Sequence, residues 1–181
     1  LLDRLVAEYP NREGRASLEN SAYELKLNGW DRPILVITSE FAPSDGAIEW
    51  ARNLCLSDKY KEHVVIYMTH SYMKCSGFCD NALIQRENYP LTKKEGNNSG
   101  QQIWEKLVSQ VPNLRLVLCG HHAHGADKDG NDKYEGSIGW RADKNNAGET
   151  VYQMLYDTQT LGGGWEGNGG DGWVRILEFM P

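Results

Sequence analysis

Three apolar runs constrain most strongly what this chain can fold into. Ile34-Leu35-Val36-Ile37, Val64-Val65-Ile66-Tyr67-Met68 and Leu114-Arg115-Leu116-Val117-Leu118-Cys119 are each of strand length. A strand with one wet face alternates apolar and polar residues, whereas a near-continuous apolar run suits a strand covered on both faces, as in a parallel sheet. The intervals between the runs read as crossover helices. Pro43-Ser44-Asp45 is a helix start, and Ile48, Ala51, Leu54 and Cys55 follow on one face until a stop near Ser57. Gln101 to Val111 repeats the pattern with Ile103, Trp104, Leu107 and Val108, ended by Pro112-Asn113. Strand, helix and strand make right-handed crossover units, so the fold class expected is α/β.

Shorter signals complete the pass. Tyr23, Leu25 and Leu27 alternate with Glu24 and Lys26, and Asn28-Gly29 follows as a hairpin turn into the first apolar run. Leu1 to Val6 reads as the interior of an amphipathic helix. The polar segment from Ser71 to Gly100 reads as one long loop beside the functional edge. Val151 to Asp157 and Trp173 to Phe179 read as antiparallel neighbours. Between them, seven of the eleven residues from 162 to 172 are glycine, which suits a flexible hairpin loop. With no Lys-Ser or Lys-Thr after it, that cluster is no phosphate-cradling P-loop.

With 181 residues, 40% of them hydrophobic, residues 1–181 are expected to form a single domain. A net charge of -6 advertises no surface for counterion release, so nucleic acid is not an expected partner. No run approaches the roughly 18 apolar residues of a membrane span, so no membrane partner is expected either. Cys55 and Cys119 lie in apolar stretches and read as small core residues. Cys75 and Cys79 enclose Ser-Gly-Phe in a polar loop, where they either form a local disulfide or stay reduced. Asp127-Lys-Asp129-Gly-Asn131 hints at a calcium loop, but the sixth position is Asp132, not glycine, and the twelfth is Ile138, not glutamate.

The histidines carry the chemistry. His70 directly follows the second apolar run, and His121, His122 and His124 follow the third after one glycine. If both runs are parallel members of one sheet, both sets emerge at the same edge, beyond the strand carboxyl ends where open α/β proteins bind ligands. Neutral imidazole is the commonest ligand of transition metals in proteins, so four imidazoles there point to a metal site. His63 precedes its strand and belongs to the opposite edge. A serine or cysteine nucleophile is disfavoured, because there is no G-x-S-x-G elbow and Cys119 lies in an apolar strand.

Val64 to Tyr72, with Thr69-His70-Ser71-Tyr72, and Leu116 to His121, with Cys119-Gly120-His121, resemble the last two metal-ligand motifs of the calcineurin-like metallophosphoesterases. Glu40-Phe41-Ala42-Pro43 running into Ala47 to Ala51, and Gly169 to Phe179, are similar to segments of a bacterial, often exported, branch. The resemblance runs from Asn20 onward. It implies a layered α/β/β/α sandwich, present here as its C-terminal portion, and two divalent metals, manganese, iron or zinc. Hydrolysis of a small phosphomonoester or phosphodiester would follow by attack of a metal-bridging hydroxide. It also implies metal ligation and a catalytic role for His70 and His121, metal ligation by His124, and substrate contacts from Tyr72 and His122. An extracellular or periplasmic location goes with that branch.

Two departures stand beside it. The family's last motif is G-H-x-H, and its second histidine falls on Ala123, so either His124 ligates through a local bulge or the ligand is absent. The earlier motifs D-x-H, G-D-x-x-D and G-N-H are not found, and Asp171 after Gly170 is no substitute. They are expected before Leu1, and the chain by itself is expected to be inactive. The competing expectations are a catalytically inactive binding domain, with Trp140, Trp165 and Trp173 as aromatic surface, and a structural zinc domain.

Overall fold

The structure is a computed structural model that describes residues 2–75, 77–87, 96–122, 136–159 and 172–179. Its centre is the set of apolar runs. They form β3 (Ile34–Ser39), β4 (Val64–Thr69) and β8 (Leu114–Cys119), side by side and parallel, with β10 (Thr150–Asp157) parallel beside β8. The hairpin strand is β2 (Asn20–Leu25), antiparallel to β3, and Trp30 N donates to Leu27 O across the Asn28-Gly29 turn at 3.2 Å. Gly29 there has φ of 82°, a conformation that costs a side chain dearly.

Both helices lie on one face. α1 (Asp45–Leu56) is capped by Ser44, whose hydroxyl accepts from Ala47 N, and ends at Ser57. α2 (Gly100–Lys106) opens with a capping box of Ser99 and Gln102, satisfying two orphan backbone donors reciprocally. The expected helix to Val111 instead breaks at Leu107 and continues as a 3-10 turn, Val108–Gln110. Ile48, Ala51, Cys55, Ile103, Leu107 and Val108 pack on Leu35, Ile37, Val65, Tyr67 and Val117. Emptying one such site, Ile103→Ala for example, costs about 2–5 kcal/mol.

The whole sheet has eight strands in the order β1-β2-β3-β4-β8-β10-β9-β6, and three expectations are corrected in it. The N-terminus is not helical beyond a 3-10 turn at Leu2–Arg4; Leu5–Tyr9 is strand β1, pairing with the open edge of β2. The supposed loop after Ser71 contains β5 (Met73–Lys74), β6 (Phe78–Asp80) and β7 (Leu83–Ile84). Strands of two or three residues leave no readable period. The antiparallel partner of β10 is β9 (Ser137–Lys144), not Trp173 to Phe179, which belongs to no strand.

β9 has a polar buried side, which hid it. Ser137 and Gly139 are buried, and Arg141 grips Asp143 through Nε and a terminal nitrogen at 2.5 and 2.7 Å. Gln153 Nε2 donates to Asp143 at 2.6 Å, and the Tyr72 hydroxyl donates to Gln153 Oε1 at 2.6 Å. Gly139 is bare because a Cβ there would meet Ala82 Cβ at 2.7 Å. The Cys75–Cys79 disulfide is formed and lies against this strand. Of the two open alternatives for this pair, the structure takes the bridged one.

The second face of the sheet carries Ile34, Val36, Ile66, Leu116, Leu118 and Met154, with Leu177 of the C-terminal segment packed against them. Met68 and Tyr152 remain 39% and 51% exposed there. A parallel sheet ordinarily has both faces covered.

Candidate metal centre

β3, β4, β8 and β10 end at one edge, and His70 and His121 both emerge there. Gly120 N donates to His70 O at 3.0 Å, extending the β4–β8 ladder past both strand ends. His122 N then turns back to Gly120 O at 2.8 Å, closing a three-residue turn around His121. Its φ is 68°, in the left-handed region that β-carbon sterics make costly, about 1–3 kcal/mol for a non-glycine residue. The His70 and His121 ring centroids stand 4.9 Å apart, edge to face.

Phe41, the second residue after β3, completes the cluster at 5.6 Å from His70 and 4.8 Å from His121. Its position is built from another segment. Arg12 N and Nε donate to Glu40 Oε2 at 3.0 and 3.4 Å, and its terminal nitrogen donates to Phe41 O and, at 3.1 Å, to Ala42 O. Glu40 Oε1 accepts from Ser44 N at 3.1 Å, so a carboxylate 2% exposed joins the loop to the start of α1. Ala42 has φ of 47°, a second strained residue at the same edge.

Below the imidazoles is an open cleft of about 420 Å³, lined by Thr38, Met68, His70, Leu118, Gly120 and Tyr156 among others. Burial lowers the pKa of His121 from its ordinary 6.5, and the neighbouring His70 lowers it further, while Asp157 opposes both. The neutral imidazole, the form that ligates metals, is thereby favoured. Burial pushes the Cys55 and Cys119 thiols up to about 12, which removes both as thiolate ligands or nucleophiles at neutral pH.

The other candidates are placed as follows. Tyr72 is fully buried in the Gln153–Asp143–Arg141 network and presents no surface to a ligand. His122 turns towards the disulfide loop, its Nδ1 accepting from Cys75 N at 3.3 Å and lying 3.5 Å from Ser137 Oγ. His124, Trp165 and the Asp127–Asp132 segment lie outside the described residues. His63 is buried at the opposite edge, 3.5 Å from Glu24 Oε1.

Among the described residues, no group of three or more His, Cys, Asp or Glu side chains is arranged to hold a metal ion. The pair His70 and His121 offers nitrogen donors of the right chemistry, and among the described residues Asp157 is the carboxylate whose charge acts on His121. Asp157, the last residue of β10, went unnoticed in the sequence, although a strand-end carboxylate at the histidine edge is the kind of signal that finds it. Searches among family models, curated proteins and solved structures gave no match to this chain.

Proposed function

We propose that this chain is the C-terminal part of a binuclear-metal-dependent phosphoesterase, acting on small phosphomonoesters or phosphodiesters, with His70 and His121 as metal ligands. The observation that carries the reading is the 4.9 Å approach of two imidazoles 51 residues apart in sequence, at the carboxyl edge of adjacent parallel strands. The left-handed backbone at His121 supports it, since strain of that kind collects at functional sites. When bound, divalent manganese, iron or zinc supplies an activated water for attack on phosphorus and neutralises phosphate oxygens.

The chain's own residues do the rest. His70 and His121 present nitrogen donors, Phe41 packs against both rings, and Arg12 with Glu40 keeps Phe41 in place. The remaining donors in this reading, acidic oxygens above all, come from outside the pair, with His124 a further nitrogen. A layered α/β/β/α sandwich is the architecture that goes with this function. It is supported by the apolar second face of the sheet, on which Leu177 already packs and which calls for a second layer. The disulfide is consistent with a location outside the cytoplasm.

The test is zinc titration by calorimetry into wild type, H70A and H121A, with p-nitrophenyl phosphate and bis-p-nitrophenyl phosphate turnover measured on the natural gene product that contains these residues. Zinc uptake abolished in either variant, together with metal-dependent turnover, is the expected result. Uptake unaffected by both substitutions would remove the ligand assignment, and metal binding without turnover would point instead to a non-catalytic binding domain.

A further inference from the structure

One lining residue of the cleft, Tyr156, is covered by a residue from the C-terminal segment. Arg175 Cζ stands 4.9 Å from the ring centroid of Tyr156, and Tyr156 lines the same cleft as His70. Arg175 is half-buried, and among the described residues its guanidinium has no carboxylate partner. The nearest acidic residue in sequence to its aromatic support is Asp157, which strand alternation sends to the opposite face of the sheet from Tyr156. Glu178 is exposed, while Arg175 and Leu177 turn towards the sheet.

A guanidinium held over an aromatic ring loses rotamer freedom, and among the described residues its fork of N–H donors meets no carboxylate. Two parallel N–H donors match two oxygens of a tetrahedral oxyanion, a geometry that an ammonium does not reproduce. In a chain of net charge -6, a cation over a ring that lines the same cleft as His70 makes a local site for a negative group.

We propose that Arg175 is the anion-recognising residue of the His70–His121 cleft and that it selects phosphomonoesters over phosphodiesters; the proposal rests on the phosphoesterase reading above. A monoester has three terminal oxygens. Two engage the guanidinium and one is left to face the imidazole side. A diester has only two, so the guanidinium and the reacting side compete for them. The monoester is also a dianion near neutral pH, which strengthens each charge-assisted bond.

The experiment titrates inorganic phosphate and dimethyl phosphate into wild type, R175Q and R175K by calorimetry, with zinc uptake read in parallel on the same proteins and on H70A. Wild type is expected to bind inorganic phosphate more tightly than dimethyl phosphate. R175Q should weaken inorganic phosphate by about tenfold or more, as loss of charged hydrogen bonds does, and dimethyl phosphate far less. R175K, with the charge but not the fork, should recover only part of the loss. Phosphate affinity unchanged in R175Q, equal weakening of both anions, or no phosphate binding by wild type each overturns the assignment. Zinc uptake separates the two ideas: retained in R175Q and lost in H70A it leaves the metal centre standing whatever the anions do, and absent from wild type it removes the phosphoesterase reading on its own.

Discussion

The backbone N–H of Gly120 donates to the carbonyl of His70 at 3.0 Å, so the two histidine-bearing loops are joined by main chain before any side chain is considered. Met68 pairs with Leu118 one step earlier in the same ladder. His70 is therefore level with Gly120, and His121 leaves the sheet one residue later. The meeting of the imidazoles is a property of register, which substitutions at the rings themselves do not disturb.

That separation of backbone from side chain makes His121 a position where stability and function are expected to part. His121→Gly relieves the left-handed conformation, by about 1 kcal/mol after glycine's own entropic cost, and removes a ligand. Urea denaturation should show a midpoint unchanged or raised, while zinc affinity falls. His121→Val, β-branched at the same φ, should lower the midpoint.

Arg12→Ala should be costly despite lying at the rim, because it strips the partner from a carboxylate that is 2% exposed and releases the Phe41 and Ala42 carbonyls. A loss of about 3 kcal/mol is expected from chemical denaturation. Arg12→Ala combined with Glu40→Gln should lose less than Arg12→Ala alone, since no buried charge is then left unpaired.

Stability should fall twice as pH drops. His121 has a folded pKa lowered below 6.5 by burial and by His70, so the unfolded chain takes up its proton first. Stability is full above that ordinary value and declines as pH falls through it. Arg141 holds the Asp143 carboxyl below its ordinary 3.8, and burial opposes this only in part. Its contribution is present above 3.8 and lost as pH falls through the lower folded value. Thermal midpoints across pH 2 to 8 should show both steps, with His121→Gln erasing the upper and Asp143→Asn the lower.

Reduction of Cys75–Cys79, or Cys75→Ser with Cys79→Ser, releases a loop with a sequence separation of four residues. The entropic cost of so short a loop is small, about 2 kcal/mol. The larger expected effect is local: the His122 ring, which accepts from Cys75 N, should lose its fixed environment, visible as a shift of its imidazole resonances while those of His63 stay in place.

Gly139→Ala should destabilise by about 1–3 kcal/mol, because the new methyl would sit 2.7 Å from Ala82 Cβ and 3.3 Å from Cys75 Cβ. Gly148→Ala is the control with open space around it, where only the positive φ of 80° opposes the change. Midpoints in urea for the two variants distinguish crowding from backbone strain.

How much of this was legible follows from where each signal is stored. The apolar runs and the helix-start signal at Ser44 act within a few residues of themselves, so β3, β4, β8, α1 and the body of α2 could be read directly, and with them the common edge of His70 and His121. β9 could not, because its inward side chains Ser137, Arg141 and Asp143 are polar and become intelligible only once Gln153 and Tyr72 are seen to satisfy them. β1 was misread because Leu5 to Tyr9 shows an edge strand's pattern only beside β2.

The linear order of residues thus determined which segments are covered on both faces and which ends carry imidazoles, since burial period and strand length are local properties. The tertiary structure alone decided that Phe41 faces both rings, that Arg12 holds it there, that Tyr72 is sealed away, and that Arg175 stands over Tyr156. Those relations join residues tens of positions apart. They depend on register and on the packing of separate segments, neither of which is written in any one stretch of chain.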